Sequence, residues 1–145
     1  MSAKVTRRKK MPWRARHVYH PVKVDTLPVN DVKDHLLILA SIRGIGFLEG
    51  GDVYLIDSQA MSDITNGVGV REGYGEATFR DGAKAYFKYR SERKTVKENY
   101  KGQMTFFKGT GRLRGIQGGG TFEAFDPAPD LIYTNLVGEY SLPGK

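Results

Sequence analysis

The stretch FFKGTGRLRGIQGGGTF, residues 106–122, places six glycines in seventeen positions and sets arginines beside the G-x-G pair Gly109 and Gly111. Glycines next to cations suggest a phosphate-cradling loop and hence a nucleotide enzyme. The spacing argues otherwise. A Walker loop needs G-x-x-x-x-G-K-[ST] and a dinucleotide site needs G-x-G-x-x-G, each opening a helix whose N-terminus receives phosphate. Gly109-Thr110-Gly111-Arg112-Leu113-Arg114-Gly115 fits neither, and the following IQGGGTFEAF carries no helical pattern. The glycines therefore read as structural. Lys108-Gly109-Thr110-Gly111 forms a hairpin corner, and Gly115 with Gly118, Gly119 and Gly120 lets strands bend where a sheet tightens.

Working outward, the chain breaks into short segments separated by turn signals such as Glu49-Gly50-Gly51-Asp52, Thr65-Asn66-Gly67 and Arg80-Asp81-Gly82. Strands are expected at 35–48, 53–64, 68–79, 83–92, 100–107, 112–116, 120–125 and 131–142. In the fourth, Ala83, Ala85, Phe87 and Tyr89 alternate with Lys84, Tyr86, Lys88 and Arg90, the two-residue period of a half-buried strand. No apolar helical period is sustained, although residues 91–99 have room for one helical turn. Eight strands on short turns predict an all-β, antiparallel meander, and closure into a single small eight-stranded β-barrel removes its exposed edges. A β-sandwich is the alternative architecture.

The 145 residues suffice for one domain with its own core. The chain has no cysteine, which excludes disulfides, thiolate catalysis and thiolate zinc sites. Its formal charge of +7 is unevenly placed: residues 1–17 hold seven basic side chains and no acid, leaving 16 basic and 16 acidic residues in 18–145. The expected division is a disordered basic tail over 1–17 and a barrel domain over 18–145, with residues 18–34 an extended, proline-interrupted lead-in. Thr6-Arg7-Arg8-Lys9-Lys10 begins like a twin-arginine segment, but no apolar stretch follows it. No export signal is recognised, which points by default to the cytoplasm. No apolar run reaches membrane-spanning length.

Taken together, FFKGTGRLRGIQGGGTFEAF, the closing LVGEYSLPG, the hairpin EGGDVYL and the segment GYGEATFRDGAKAYFKY resemble the allene-oxide-cyclase-like barrel proteins, over roughly residues 35–143. That superfamily includes plant dirigent proteins and uncharacterised bacterial barrels. The resemblance implies a calycin-like barrel that takes a small molecule inside and forms dimers or trimers. The plant cyclases use a buried glutamate and polar groups that hold a water inside the barrel; the resemblance does not align those positions residue by residue with this chain, so no catalytic residue is carried over.

Candidate sites follow from strand parity. Tyr54, Phe79, Phe87, Tyr89, Met104 and Phe106 are expected to line the interior. Along residues 37–47, Ser41 and Arg43 share a phase with Leu37, Leu39, Ile45 and Phe47. If that phase faces inward, the pair are polar handles and Arg43 holds a ligand carboxylate. If the phase of Ile38, Ala40 and Ile42 faces inward, Arg43 lies outside, where arginines usually lie. Asp57, Asp63, Glu76, Glu123 and Glu139 are acid–base candidates only if they point inward. His17, His20 and His35 lack a metal-ligand spacing, so no metal or cofactor is expected. The basic tail with Trp13 suits nucleic acid only weakly, since the body is neutral and lacks an RNA-binding strand pattern. The expected function is binding of a hydrophobic small molecule in the barrel. The alternatives are a cofactor-independent cyclase or isomerase acting on a polyene or oxylipin-like substrate, and an interaction protein working through its tail.

Overall fold

In the computed structural model, which describes residues 8–144, period-two alternation of burial runs through most of the strands. Its strands are β1 (Met11–Pro28), β2 (His35–Leu48), β3 (Val53–Thr65), β4 (Val68–Phe79), β5 (Lys84–Arg93), β6 (Tyr100–Gly109), β7 (Gln117–Ala128) and β8 (Leu131–Ser141). Each pairs antiparallel with its sequence neighbour, and β1 pairs with β8, closing the sheet into an eight-stranded barrel. No helix among the described residues is long and apolar enough to cross a membrane.

Two strands differ from expectation. Residues 112–116 are not a strand: Gly111–Leu113 is a short 3-10 turn, which drops Leu113 and Ile116 into the bottom of the barrel. Gly111 and Gly115 both carry positive φ (59° and 76°), a conformation glycine adopts freely. The eighth strand is instead β1, which starts inside the expected tail. Trp13, Ala15 and His17 are buried while Arg14 and Arg16 point outward, so the cations occupy the wet phase of a strand. Arg8 continues this attachment by donating to the Gly115 carbonyl at 2.5 Å. The part of the expected tail over residues 1–7 lies outside the described residues.

Register fixes which face is inside. β1 pairs with β8 only from Met11 to Tyr19; beyond a bulge at Pro21/Lys23 it runs on along β2 alone as an edge flanked by Pro21 and Pro28. Prolines are tolerated there because an outer edge needs no N–H donor. Inside, small residues face large ones. A Cβ on Gly46 or Gly75 would run into the rings of Tyr54 or Phe87, so glycine at these positions makes room for an aromatic across the ladder. The main core gathers Trp13, Tyr54, Phe79, Phe87, Phe106, Leu113 and Ile116 toward one end. A smaller cluster around Ile64, Tyr100 and Ala124 sits toward the other.

Candidate functional site

Between these two clusters the lumen is not filled. A cavity of about 40 Å³ is lined by His17, Tyr19, Ile56, Ser58, Phe87, Tyr89, Met104, Phe122, Thr134 and Leu136. Half of the lining is apolar and half carries hydrogen-bonding groups.

The polar groups have assignable roles. Trp13 Nε1, which can only donate, points at Tyr54 Oη at 3.2 Å, and Tyr54 Oη lies 2.5 Å from His17 Nε2. Assigning the Tyr54 hydrogen to Nε2, its one remaining partner among the described residues, satisfies the hydroxyl. This assignment leaves the neutral His17 protonated on Nδ1. Burial pushes the His17 pKa down to about 4, so the ring is uncharged at neutral pH. Tyr19 and Thr134 share a hydrogen bond of 2.6 Å, and Ser58 and Tyr89 share one of 2.7 Å. Each hydroxyl pair uses one of its two hydrogens and keeps the other. Burial raises the pKa of Tyr19, Tyr54 and Tyr89, so all three phenols stay protonated. The lumen thus offers Nδ1–H of His17 and one spare hydrogen from each hydroxyl pair, set against an apolar wall.

The six expected lining residues all lie on the inward phase. Phe87, Tyr89 and Met104 border the cavity, whereas Tyr54, Phe79 and Phe106 pack with Trp13 beneath it. Ser41 and Arg43 take the outer phase, because Ile38, Ala40 and Ile42 face inward. Arg43 is exposed and pairs with Asp57 at 3.1 Å. The acidic candidates are also on the outer face: Glu76 pairs with Lys84, Glu139 with Lys10, and Glu123 accepts from Asn99. Asp63 shares His35 with Asp31, both at 2.6 Å. The three histidines stand apart, with His17 inside, His20 exposed and His35 between two carboxylates.

The lumen residues that the sequence pattern did not single out are the polar His17, Tyr19, Ser58, Arg71 and Thr134 and the apolar Ile56, Phe122 and Leu136. A signal for the first two was present: Trp13, Ala15, His17 and Tyr19 alternate with Arg14, Arg16 and Val18. The dense charge of the N-terminal run hid that period.

No protein-family model matches this chain, and no curated protein does. Solved structures are similar over nearly the full length. The pterocarpan synthase dirigent protein PsPTS1 matches with a TM-score of 0.62 at 10% identity, covering 96% of this chain and 100% of its own. The pterocarpan synthase dirigent protein GePTS1 matches with a TM-score of 0.58 at 12% identity, covering 99% and 96%. A conserved protein of unknown function from Rhodopseudomonas palustris matches with a TM-score of 0.63 at 12% identity, covering 91% and 98%. At such identities the likeness concerns backbone architecture. The eight strands, their order and their closure through β1 and β8 give this chain the dirigent-like barrel fold.

Proposed function

We propose that the barrel binds a small, largely apolar molecule carrying an acceptor oxygen, with its oxygen on the spare donors of the lumen and its body against Phe87, Met104, Phe122 and Leu136. The observation that carries this reading is the pairing of the cavity hydroxyls with one another, Tyr19 with Thr134 and Ser58 with Tyr89, which leaves donor capacity on the wall of an otherwise packed core. Buried polar groups are normally satisfied, and unmet donors cost about 1–3 kcal/mol each. A ligand oxygen or water would relieve that cost. The resting volume of about 40 Å³ holds about three water molecules. It therefore suits a short molecule better than a polyene or oxylipin-length chain, and even a short one enters by displacing that water and shifting the side chains around it.

Turnover by a cofactor-independent isomerase is less well supported. Such chemistry needs a base, and the free-base nitrogen of His17 is occupied by Tyr54. Self-association is a further reading, favoured by one observation: β2, β3 and β4 expose Leu39, Leu55, Met61 and Tyr74 on their outer faces. Light scattering during size exclusion distinguishes a dimer or trimer from a monomer.

The cavity reading is tested with 2,5-hexanedione, a short neutral diketone, followed by amide NMR. Binding should shift the resonances of residues 17, 19, 58, 89 and 134, and His17→Phe should weaken it. Shifts confined to the outer face of β2–β6, or no binding, would overturn the proposal.

A further inference from the structure

The end of the barrel opposite Leu113 and Ile116 is spanned by a charged side chain that the cavity itself leaves unused. Arg71 stands on the inward phase of β4, two residues from Gly73, whose ladder partner is Tyr89. That is about 7 Å further along the strand. Its guanidinium lies 3.9 Å over the Tyr100 ring on β6 and reaches Asp126 on β7 at 3.5 Å. Because β4 and β7 are three strands apart in the barrel order, the ion pair crosses the lumen instead of running along the wall.

This pair is loose. Its separation is at the outer limit of a hydrogen bond, and the two side chains remain 30% and 38% exposed. A guanidinium carries five N–H donors, and the contact with Asp126 employs one nitrogen at long range. Arg93, which also stacks on Tyr100, is committed instead: its Nε and Nη2 donate to the Gly67 carbonyl at 2.8 and 2.6 Å. The Tyr100 hydroxyl is buried with no partner among the described residues. The charge of Arg71 acts on the phenols of both Tyr19 and Tyr89, which places it within electrostatic reach of the cavity.

We propose that Arg71 is the anion-recognising residue of this barrel, and that the site takes a short-chain oxo acid. The carboxylate occupies the place that Asp126 holds at rest, and the oxo oxygen reaches the donors of His17 and the hydroxyl pairs below. This inference rests on the cavity reading above. Asp126 itself shows that a carboxylate is accepted at this position, and the planar guanidinium fork suits a second, bidentate one. The step between Arg71 and Tyr89 sets the separation between the two polar ends of the ligand. The small resting volume limits the chain that joins them.

The test compares levulinate with its neutral isostere 2,5-hexanedione, titrated into the full chain. Wild type should bind levulinate about tenfold more tightly, the discrimination expected of a hydrogen-bonded charge pair. Arg71→Gln should erase that preference and leave hexanedione binding within about twofold, while Asp126→Asn should tighten levulinate by removing its competitor. Equal wild-type affinities, a parallel loss of both ligands in R71Q, or unchanged levulinate binding in D126N would each overturn the assignment. If R71Q fails to fold, D126N decides alone. Hexanedione bound in the cavity with no advantage for levulinate sinks only the role of Arg71. Absence of binding by both ligands sinks the cavity reading and this inference with it.

Discussion

The two ends of the barrel are closed by opposite chemistry. At one end Trp13 packs against Phe106, Tyr140, Tyr54 and Phe79 with ring centroids 4.6 to 5.7 Å apart, above Leu113 and Ile116, which are almost fully buried. At the other, Arg71 and Arg93 both lie over the Tyr100 ring, and Arg71 reaches across to Asp126. The apolar end gains from area removed from water, which is non-directional and tolerant of small shifts. The charged end gains little from a partly exposed ion pair, because solvent screens it and both side chains lose freedom. One end therefore contributes most of the stability, while the other can rearrange at small cost. Between them lies the cavity, anchored from below by Trp13 and Tyr54 and overlooked from above by Arg71.

The sharpest way to break this contrast is Trp13→Ala. It should lower stability by about 3–5 kcal/mol, the range for truncating a buried aromatic, with a reduced urea midpoint and an unchanged slope. Arg71→Gln should cost about 1 kcal/mol or less under the same conditions. If the arginine change proves the more damaging, the assignment of stability to the apolar end is wrong.

A second prediction concerns His17. Its folded pKa of about 4 lies below the ordinary value near 6.5, so the unfolded chain takes up the proton first as pH falls. Stability from this group is complete above about pH 6.5, is lost on the way down, and is fully gone below about pH 4. The loss should approach about 3 kcal/mol and should vanish in His17→Gln. Denaturation curves collected across that range read it directly, and a His17→Gln protein with the same pH slope as wild type would contradict it.

The charged end offers a smaller effect of opposite sign. Tyr100→Phe deletes a buried hydroxyl that has no partner among the described residues, so it should raise stability by about 1 kcal/mol. A loss in thermal or urea unfolding would mean that the hydroxyl is satisfied in solution.

The smallest effect belongs to His35, where hydrogen bonds to Asp31 and then Asp63 hold the imidazole pKa above its ordinary value. A raised histidine pKa stabilises the fold below the ordinary value and loses that contribution as pH rises through the shifted one. His35→Gln should therefore differ from wild type at about pH 6 and converge with it in mild alkali. The two histidines should thus respond to acid with opposite signs, because one is buried without an anion and the other sits between two.

Much of the fold is legible in the residues. Turn chemistry at Asn66-Gly67 and the glycines near 50 and 82 bounds β2, β3 and β4 nearly to the residue, because tight turns demand particular backbone conformations. The segments around β1 and residues 112–116 depart from the pattern of the sequence for one reason: local composition competes with long-range pairing. Seven cations in the first 17 residues look like a solvated tail, yet Arg14 and Arg16 need only every second position to face water. Arg112 and Arg114 flank Leu113 in the same alternation, but Gly111 and Gly115 turn the chain before a ladder can form. For the site, the aromatic lining was legible from parity, whereas the inward placement of Arg71 was not. Arginine on a strand is ordinarily outside, and only the Tyr100 ring and Asp126 on other strands make the lumen acceptable to it.

Residue pattern alone determined that the chain is all-β, that it turns where it does, and that Tyr54, Phe79, Phe87, Tyr89, Met104 and Phe106 share the apolar phase. Those features are local: they depend on backbone freedom at glycine and on a two-residue period. Closure through β1, the meeting of Trp13, Tyr54 and His17, and the span from Arg71 to Asp126 were decided only by tertiary structure. Each joins residues that are far apart in the chain, and barrel closure with its register brings them within a few ångströms of one another.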